Sequence, residues 1–289
     1  MEQDTDGYYL IHNAQELVEF RDSVKNGDAK NGRLAADIDL SSVCGIIDGK
    51  EVNWIPMYAN IFDGANHTIS NLYINTKIYR QALFESAHSI SNLIVDNAFV
   101  KSTETQVAGI VVHTDSMNNC HFRGIVIGDE MVGGIACTSK AGVIANCSNY
   151  GLIIGNSNVS GIGDATYIVN CYNRGTVKAM NGTASGISCA ELNCDEINNA
   201  YNSGKIEGEN ARGISSYEYV SISSSFSLEN ATKSTTEDKF VIDSTLFLNG
   251  AILDSLNEYV KNNPKYKVHN DSISLLPWVQ TISRQFPKI

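Results

Sequence analysis

Proline is scarce in this sequence, at 4 of 289 residues. A chain that commits most backbone N–H groups to strand ladders has little room for a residue without one. Charge is thin as well: Asp, Glu, Lys and Arg make up 18%, against about 25% in an average domain. No apolar run approaches the roughly 18 residues that a membrane-spanning helix requires. No cluster of basic residues stands out, and 21 basic against 32 acidic side chains leave a net charge of −11. Such a field repels a phosphate backbone, so nucleic acid is excluded as a partner class. There is no CxxC pair and no HExxH string, and the histidines do not fall at ligand spacing to cysteines, so neither a metal nor a cofactor is expected. The opening Met1-Glu2-Gln3-Asp4-Thr5-Asp6 is acidic and has no apolar core of signal-peptide type. It suits either a cytoplasmic chain or one already trimmed of its leader.

What is abundant is repetition. A small residue, Gly and Ile recur as Ala108-Gly109-Ile110, Gly133-Gly134-Ile135, Ser160-Gly161-Ile162, Ser185-Gly186-Ile187 and Arg212-Gly213-Ile214. The glycines step by 25, 27, 25 and 27 residues. A second phrase runs in phase with the first: Asn119-Cys120, Asn146-Cys147, Asn170-Cys171 and Asn199-Ala200, each followed four residues later by Gly, with a weaker copy at Ser225-Phe226-Ser227-Leu228. Earlier echoes are Ala82-Leu83-Phe84, one period before Gly109, and Ile69-Ser70-Asn71-Leu72, which matches Ile90-Ser91-Asn92-Leu93.

A constant period of this size signals a solenoid, a propeller or an array. Each period holds short Ile-, Val- and Tyr-rich segments broken by Asn, Gly and Ser, and no helical pattern lies between residues 60 and 229. The period is too short for a propeller blade of about 40–50 residues. It fits one coil of a single-stranded, right-handed parallel β-helix, an all-β solenoid, over residues 61–229. In that fold Ile after Gly stacks inward, Gly offers a positive φ at the corner, and Asn tolerates the left-handed turn. Cys120, Cys147 and Cys171 then form an inward ladder of free thiols. The expected assembly is a monomer.

The ends read differently. Within residues 1–60, Leu17, Phe20 and Val24 share one helical face, with Asn13 and Glu16 as a capping box and Gly27 as the stop. Arg33 to Leu40 then alternates like a strand. Within residues 230–289, Ile252, Leu253, Leu256 and Val260 share a helical face that Asn262-Asn263-Pro264 ends. Both segments are expected to cap the solenoid, since open coil edges invite pairing with other chains.

These residues resemble bacterial surface proteins with GLUG-type repeats, including the β-helical region that accompanies IgA-specific metallopeptidases. The resemblance rests on Tyr9-Leu10-Ile11, Ala14-Gln15-Glu16-Leu17, Ala36-Asp37-Ile38-Asp39-Leu40, Trp54-Ile55-Pro56 and, most specifically, the run from Phe62 to Leu72. The repeats are degenerate: the closing Gly of the family repeat is replaced by Val112, Cys137, Asp164, Cys189 and Ser216. The resemblance implies a secreted or surface-displayed bacterial protein; it does not imply protease activity, because the metallopeptidase lies outside this region and no HExxH string occurs here.

For chemistry, a glycosidase would need two carboxylates about 5–10 Å apart. Asp37 and Asp39 lie two apart on one predicted strand, and Asp164 replaces a repeat Gly at a coil corner, where an acid could bind a cation. Each has a plainer role as a turn acid. Tyr150, Tyr172 and Tyr201 recur in one turn and would offer stacked rings for a sugar or a protein segment if exposed. The functional expectation is a non-catalytic, adhesin-like binding module for polysaccharide or for a host or bacterial surface protein. The alternatives are a carbohydrate-active enzyme, a polysaccharide lyase or glycoside hydrolase, and a bare spacer.

Overall fold

The computed structural model describes residues 1–24, 30–138, 142–189, 194–228, 232–233, 241–268 and 271–279. The chain is an all-β parallel solenoid, each coil hydrogen-bonded to the next. Its first face runs from Tyr9–Ile11 through Gly32–Leu34 to Ser221–Ser223. A second face runs from Ile38–Asp39 to Phe226–Leu228, a third from Tyr73–Thr76 to Thr232–Lys233, and a fourth from Val107–Ala108 to Asn210–Arg212.

Side chains alternate along each strand, so one residue per strand stacks inward on every coil. On the first face the inward column reads Phe62, Ile90, Met117, Ile144, Ile168 and Ile197. On the third it reads Ile74, Val100, Val126, Ile153, Val177 and Ile206. All twelve are fully buried, and each such apolar side chain contributes about 1.5–3 kcal/mol of burial. Ile110, Ile135, Ile162, Ile187 and Ile214 are likewise inward, as their place after Gly implied.

The glycines before them serve a different purpose from the one expected. Gly109, Gly134, Gly161 and Gly186 do not have positive φ. A Cβ at Gly161 would instead lie 2.2 Å from the carbonyl oxygen of Gly186, and one at Gly134 would lie 2.1 Å from that of Gly161. The corner is a stack of backbones in which a side chain has no room. Positive φ falls on asparagines: Asn119, Asn146, Asn170 and Asn199 all lie near +55° (φ 55, 54, 57 and 53). Their amides bond from coil to coil, Asn170 Nδ2 to Asn146 Oδ1 at 2.7 Å and Asn199 Nδ2 to Asn170 Oδ1 at 2.8 Å.

A second asparagine column was not foreseen. On the second face the inward residues are Ile38, Ile69, Val95 and Phe122, and then Asn149, Asn173 and Asn202. These three amides are fully buried and linked head to tail, Asn149 to Asn173 and Asn173 to Asn202, both at 2.8 Å. Each Oδ1 also accepts from the N–H of Gly151, Gly175 or Gly204.

All seven cysteines are free and buried. Burial pushes the Cys120, Cys137 and Cys147 thiols well up, and those of Cys189 and Cys194 up to about 12. Thiolate is therefore scarce at neutral pH, and access is closed. A thiol reagent at pH 8 should titrate no cysteine in the native chain and all seven in denaturant. Rapid reaction of even one native thiol would show that the coils open there.

Three details depart from the sequence reading. The ladder begins at Tyr9, well before residue 61. The Ile69 and Ile90 phrases are not partners: Ile69 pairs with Val95 on the second face and Ile90 with Phe62 on the first. The predicted strand over 33–40 divides into Gly32–Leu34 and Ile38–Asp39, on different faces.

Helix α1 (Ala14–Ser23) leaves the first coil and lays Leu17 and Phe20 into the core, Phe20 against Gly32 and Phe62. Asn13 Oδ1 accepts from Glu16 N at 3.0 Å, while Glu16 reaches back to His12 N at 2.8 Å. The expected stop at Gly27 lies outside the described residues. At the other end the helical pattern splits at Gly250 (φ +92°) into α2 (Ser244–Leu248) and α3 (Ala251–Asn262). A hairpin, Lys265–Val268 with Asp271–Ser274, follows. Helix α3 packs on the flank of the solenoid, its Ile252, Leu256 and Val260 joining Val143, Ala145, Val169, Tyr172 and Tyr201.

Candidate functional site

The acidic candidates are all engaged in coil architecture. Asp37 Oδ1 accepts from Thr68 N at 2.9 Å and lies 3.1 Å from His67 Nδ1. Asp39 Oδ1 accepts from Asn71 Nδ2 at 2.7 Å and Ser41 N at 2.9 Å. These bonds, from Thr68 and His67 to Asp37 and from Asn71 and Ser41 to Asp39, hold both carboxyls below the usual range. A general acid requires the opposite shift. Asp164 Oδ1 accepts from Ser188 Oγ at 2.9 Å and Cys189 N at 3.2 Å, bracing the coil that follows. Among the described residues no group of three His, Cys, Asp or Glu could hold a metal ion.

The tyrosine turn is not the open face that its repetition suggested. Tyr172 and Tyr201 do stack outward on successive coils, 5.2 Å apart and 6° from parallel. The C-terminal segment covers them. Trp278 packs on both rings, at 5.6 and 5.4 Å, leaving Tyr172 at 1% and Tyr201 at 0% exposure. The asparagine turns anchor this segment: Asn146 Nδ2 donates to Ser274 O, Leu276 N donates to Asn146 Oδ1, and Asn170 Nδ2 donates to Leu276 O, at 3.0, 2.9 and 2.9 Å. Of the three tyrosines only Tyr150 reaches the surface, half-buried.

An uncovered site lies elsewhere. A cleft of about 510 Å³ opens between residues 53–58 and 76–85, within the usual range for ligand pockets. Trp54 forms its floor, fixed by a bond from Nε1 to Leu83 O at 3.0 Å. Its walls are Ile55, Tyr58, Ile78 and Tyr79, which are 63, 40, 57 and 59% exposed. Arg80 and Glu85 stand at 3.9 Å beside these walls. Burial first, then the Glu85 carboxylate, pushes the Tyr58 phenol up to about 12. Thr76 adds a buried hydroxyl with no hydrogen-bond partner among the described residues. Sequence reasoning missed this site because its two lips come from neighbouring corners about one coil apart, outside the phrase that repeats.

A crystal structure from Bacteroides ovatus described as a "putative immunoglobulin A1 protease" superposes with a TM-score of 0.72 over 94% of this chain and 93% of that one. The two chains share the fold. Sequence identity between them is 22%, so the likeness extends to architecture alone. No family model matches the chain, and no curated protein does. The GLUG resemblance therefore rests on the residues quoted for it. No helix among the described residues is long and apolar enough to cross a membrane.

Proposed function

We propose that this chain is a non-catalytic binding module of a secreted or surface-displayed protein, and that the Trp54–Tyr79 cleft docks a partner polypeptide. The supporting observation is where exposed apolar side chains collect. Ile46, Val52, Ile55, Tyr58, Ile78 and Tyr79 all fall within one short stretch of sequence, and four of them wall the cleft. An uncovered apolar patch beside polar groups is a usual mark of a docking surface. Its walls of two isoleucines and two tyrosines over the Trp54 floor suit an inserted apolar side chain. A bare spacer would have no use for it. A glycosidase would need a general acid with a raised carboxyl, and Asp37 and Asp39 are shifted downward.

The test is selection from a displayed random-peptide library against the native chain, with a neutral glycan panel run alongside. Peptides carrying an apolar or aromatic anchor should be retained. Ile78→Asp, at a side chain more than half exposed, should leave the melting temperature unchanged and weaken retention by about a hundredfold, the loss of a central anchor. Retention of neutral glycans instead of peptides, or peptides indifferent to Ile78→Asp, would overturn this reading.

A further inference from the structure

A second surface lies at the corner between the second and third faces and along the third. Arg123, Tyr150 and Arg174 occupy one outward position on three consecutive coils, each directly following the paired residues Phe122, Asn149 and Asn173. The two guanidinium groups lie over the Tyr150 ring, 5.2 and 5.6 Å from its centroid, one from the coil before and one from the coil after. Tyr150 is itself held in place: its hydroxyl pairs with that of buried Tyr172, and the rings meet edge to face at 87°. Two residues further along, the outward column reads Ile125, Leu152 and Thr176, and it continues back one coil to Phe99, so its apolar part is Phe99, Ile125 and Leu152. Lys101 and Lys178 stand outward on the same face, and Lys205 borders it.

The charge is concentrated. Of the six described Lys and Arg residues between 101 and 212, five lie on this face or at its edge and only Arg212 lies elsewhere. The acids nearby include Glu207, paired with Lys178 and Lys205, Asp96 on the coil before Arg123, and Glu51, held by Tyr73 and Asn75 beside Phe99 and Lys101. His121 beside Arg123 is kept neutral, burial and then that arginine pushing it down to about 4. In a chain of net charge −11, this local excess of cations is not a by-product of composition.

We propose that this face binds a polysaccharide bearing regularly spaced carboxylate or sulfate groups. The acid groups engage Arg123 and Arg174, and the sugar rings lie along Phe99, Ile125 and Leu152. Guanidinium forks bind such oxyanions two bonds at a time. Stacking on Tyr150 holds the forks in place before binding, so little side-chain freedom is lost when the ligand arrives. Being two coils apart, the arginines stand about 10 Å from one another along the axis, at about 4.8 Å per coil. A linear polymer aligned with the solenoid reaches both, and a single small anion reaches one. Nucleic acid is the weaker fit, because the ring that could stack a base already carries the guanidinium groups.

Affinity electrophoresis of the full chain in polygalacturonate, dextran sulfate, neutral dextran and a single-stranded DNA oligonucleotide tests this. Retardation by polygalacturonate or dextran sulfate is expected, and whichever binds identifies the acid group. Neutral dextran should have no effect. Arg123→Gln and Arg174→Gln should each weaken binding about tenfold, the size of one charge-assisted contact. Ile78→Asp in the cleft should change nothing, which separates this surface from the docking site proposed above. Where a glutamine variant melts early, the lysine variant replaces it: it keeps the charge without the fork and must still lose affinity. The proposal fails if neither acidic polymer retards the chain, if the arginine variants bind like the parent, or if the oligonucleotide binds as tightly as the polysaccharides.

Discussion

Gly161→Ala is expected to destabilise the chain by about 3 kcal/mol or more, at the high end for single substitutions, and to lower the melting temperature by about 10 °C. The added methyl carbon would lie 2.2 Å from the Gly186 carbonyl oxygen and 2.7 Å from Asn173 Cγ. Neither neighbour can give way cheaply. The carbonyl belongs to the next backbone in the stack, where Gly161 N–H bonds Ser185 O at 2.9 Å, and Asn173 is fixed at both ends. The coils would have to part at that corner, breaking ladder bonds on both sides. Thermal unfolding followed by circular dichroism reads the effect directly. A melting temperature within a degree or two of the parent would show that the corner stack is loose.

Asn173→Ala should cost about 4 kcal/mol. The amide makes four buried contacts: it accepts from Asn149 Nδ2 and Gly175 N, and donates to Asn202 Oδ1 and Gly175 O. Deleting it strands partners in a site with no access to water, and each orphaned group costs about 1–3 kcal/mol. By contrast, alanine at Asn181, whose exposed side chain donates to Asn156 Oδ1, should cost well under 1 kcal/mol. Urea denaturation of the two variants makes the comparison. Equal midpoints would mean that the inner amide column adds nothing beyond filling space.

How much of this was legible depended on whether the cause was local. The period, the coil and the inward Ile after each Gly could be read because identical neighbours above and below demand identical residues. The capping helix could be read from Leu17 and Phe20 with Asn13 and Glu16. The function of the repeated Gly was misread, since a sequence shows that a side chain is missing but not whether torsion or a neighbour's carbonyl forbids it. Ile69 and Ile90 were paired on likeness, yet the first coils carry insertions such as α1 and the hairpin of Gly45–Ile47 with Lys50–Val52, which shift the phase. Asn149, Asn173 and Asn202 each stand two residues before the Gly that closes the second repeated phrase, but nothing local marks an amide as inward-facing.

The candidate site was the least legible part. Tyr172 and Tyr201 do form an outward column, as their repetition suggests. They are hidden by Trp278, and a contact across so much chain leaves no trace in the period. The cleft depends on two corners meeting, and its members share no phrase. Arg123, Tyr150 and Arg174 differ in type, so the shared position is apparent only once the register is known.

A solenoid whose coils touch only their neighbours is prone to unzip from either end, one rung at a time. The C-terminal segment changes that rule here. Through Ser274, Leu276 and Trp278 it ties together three successive coils, at Asn146, Asn170 and Tyr201, from more than 70 residues further along the chain. It is a staple laid across the rungs, and those coils can separate only after it has lifted. The middle of the ladder is therefore fastened by contacts made more than 70 residues later in the chain, so its full cooperativity is available only once that later segment has docked.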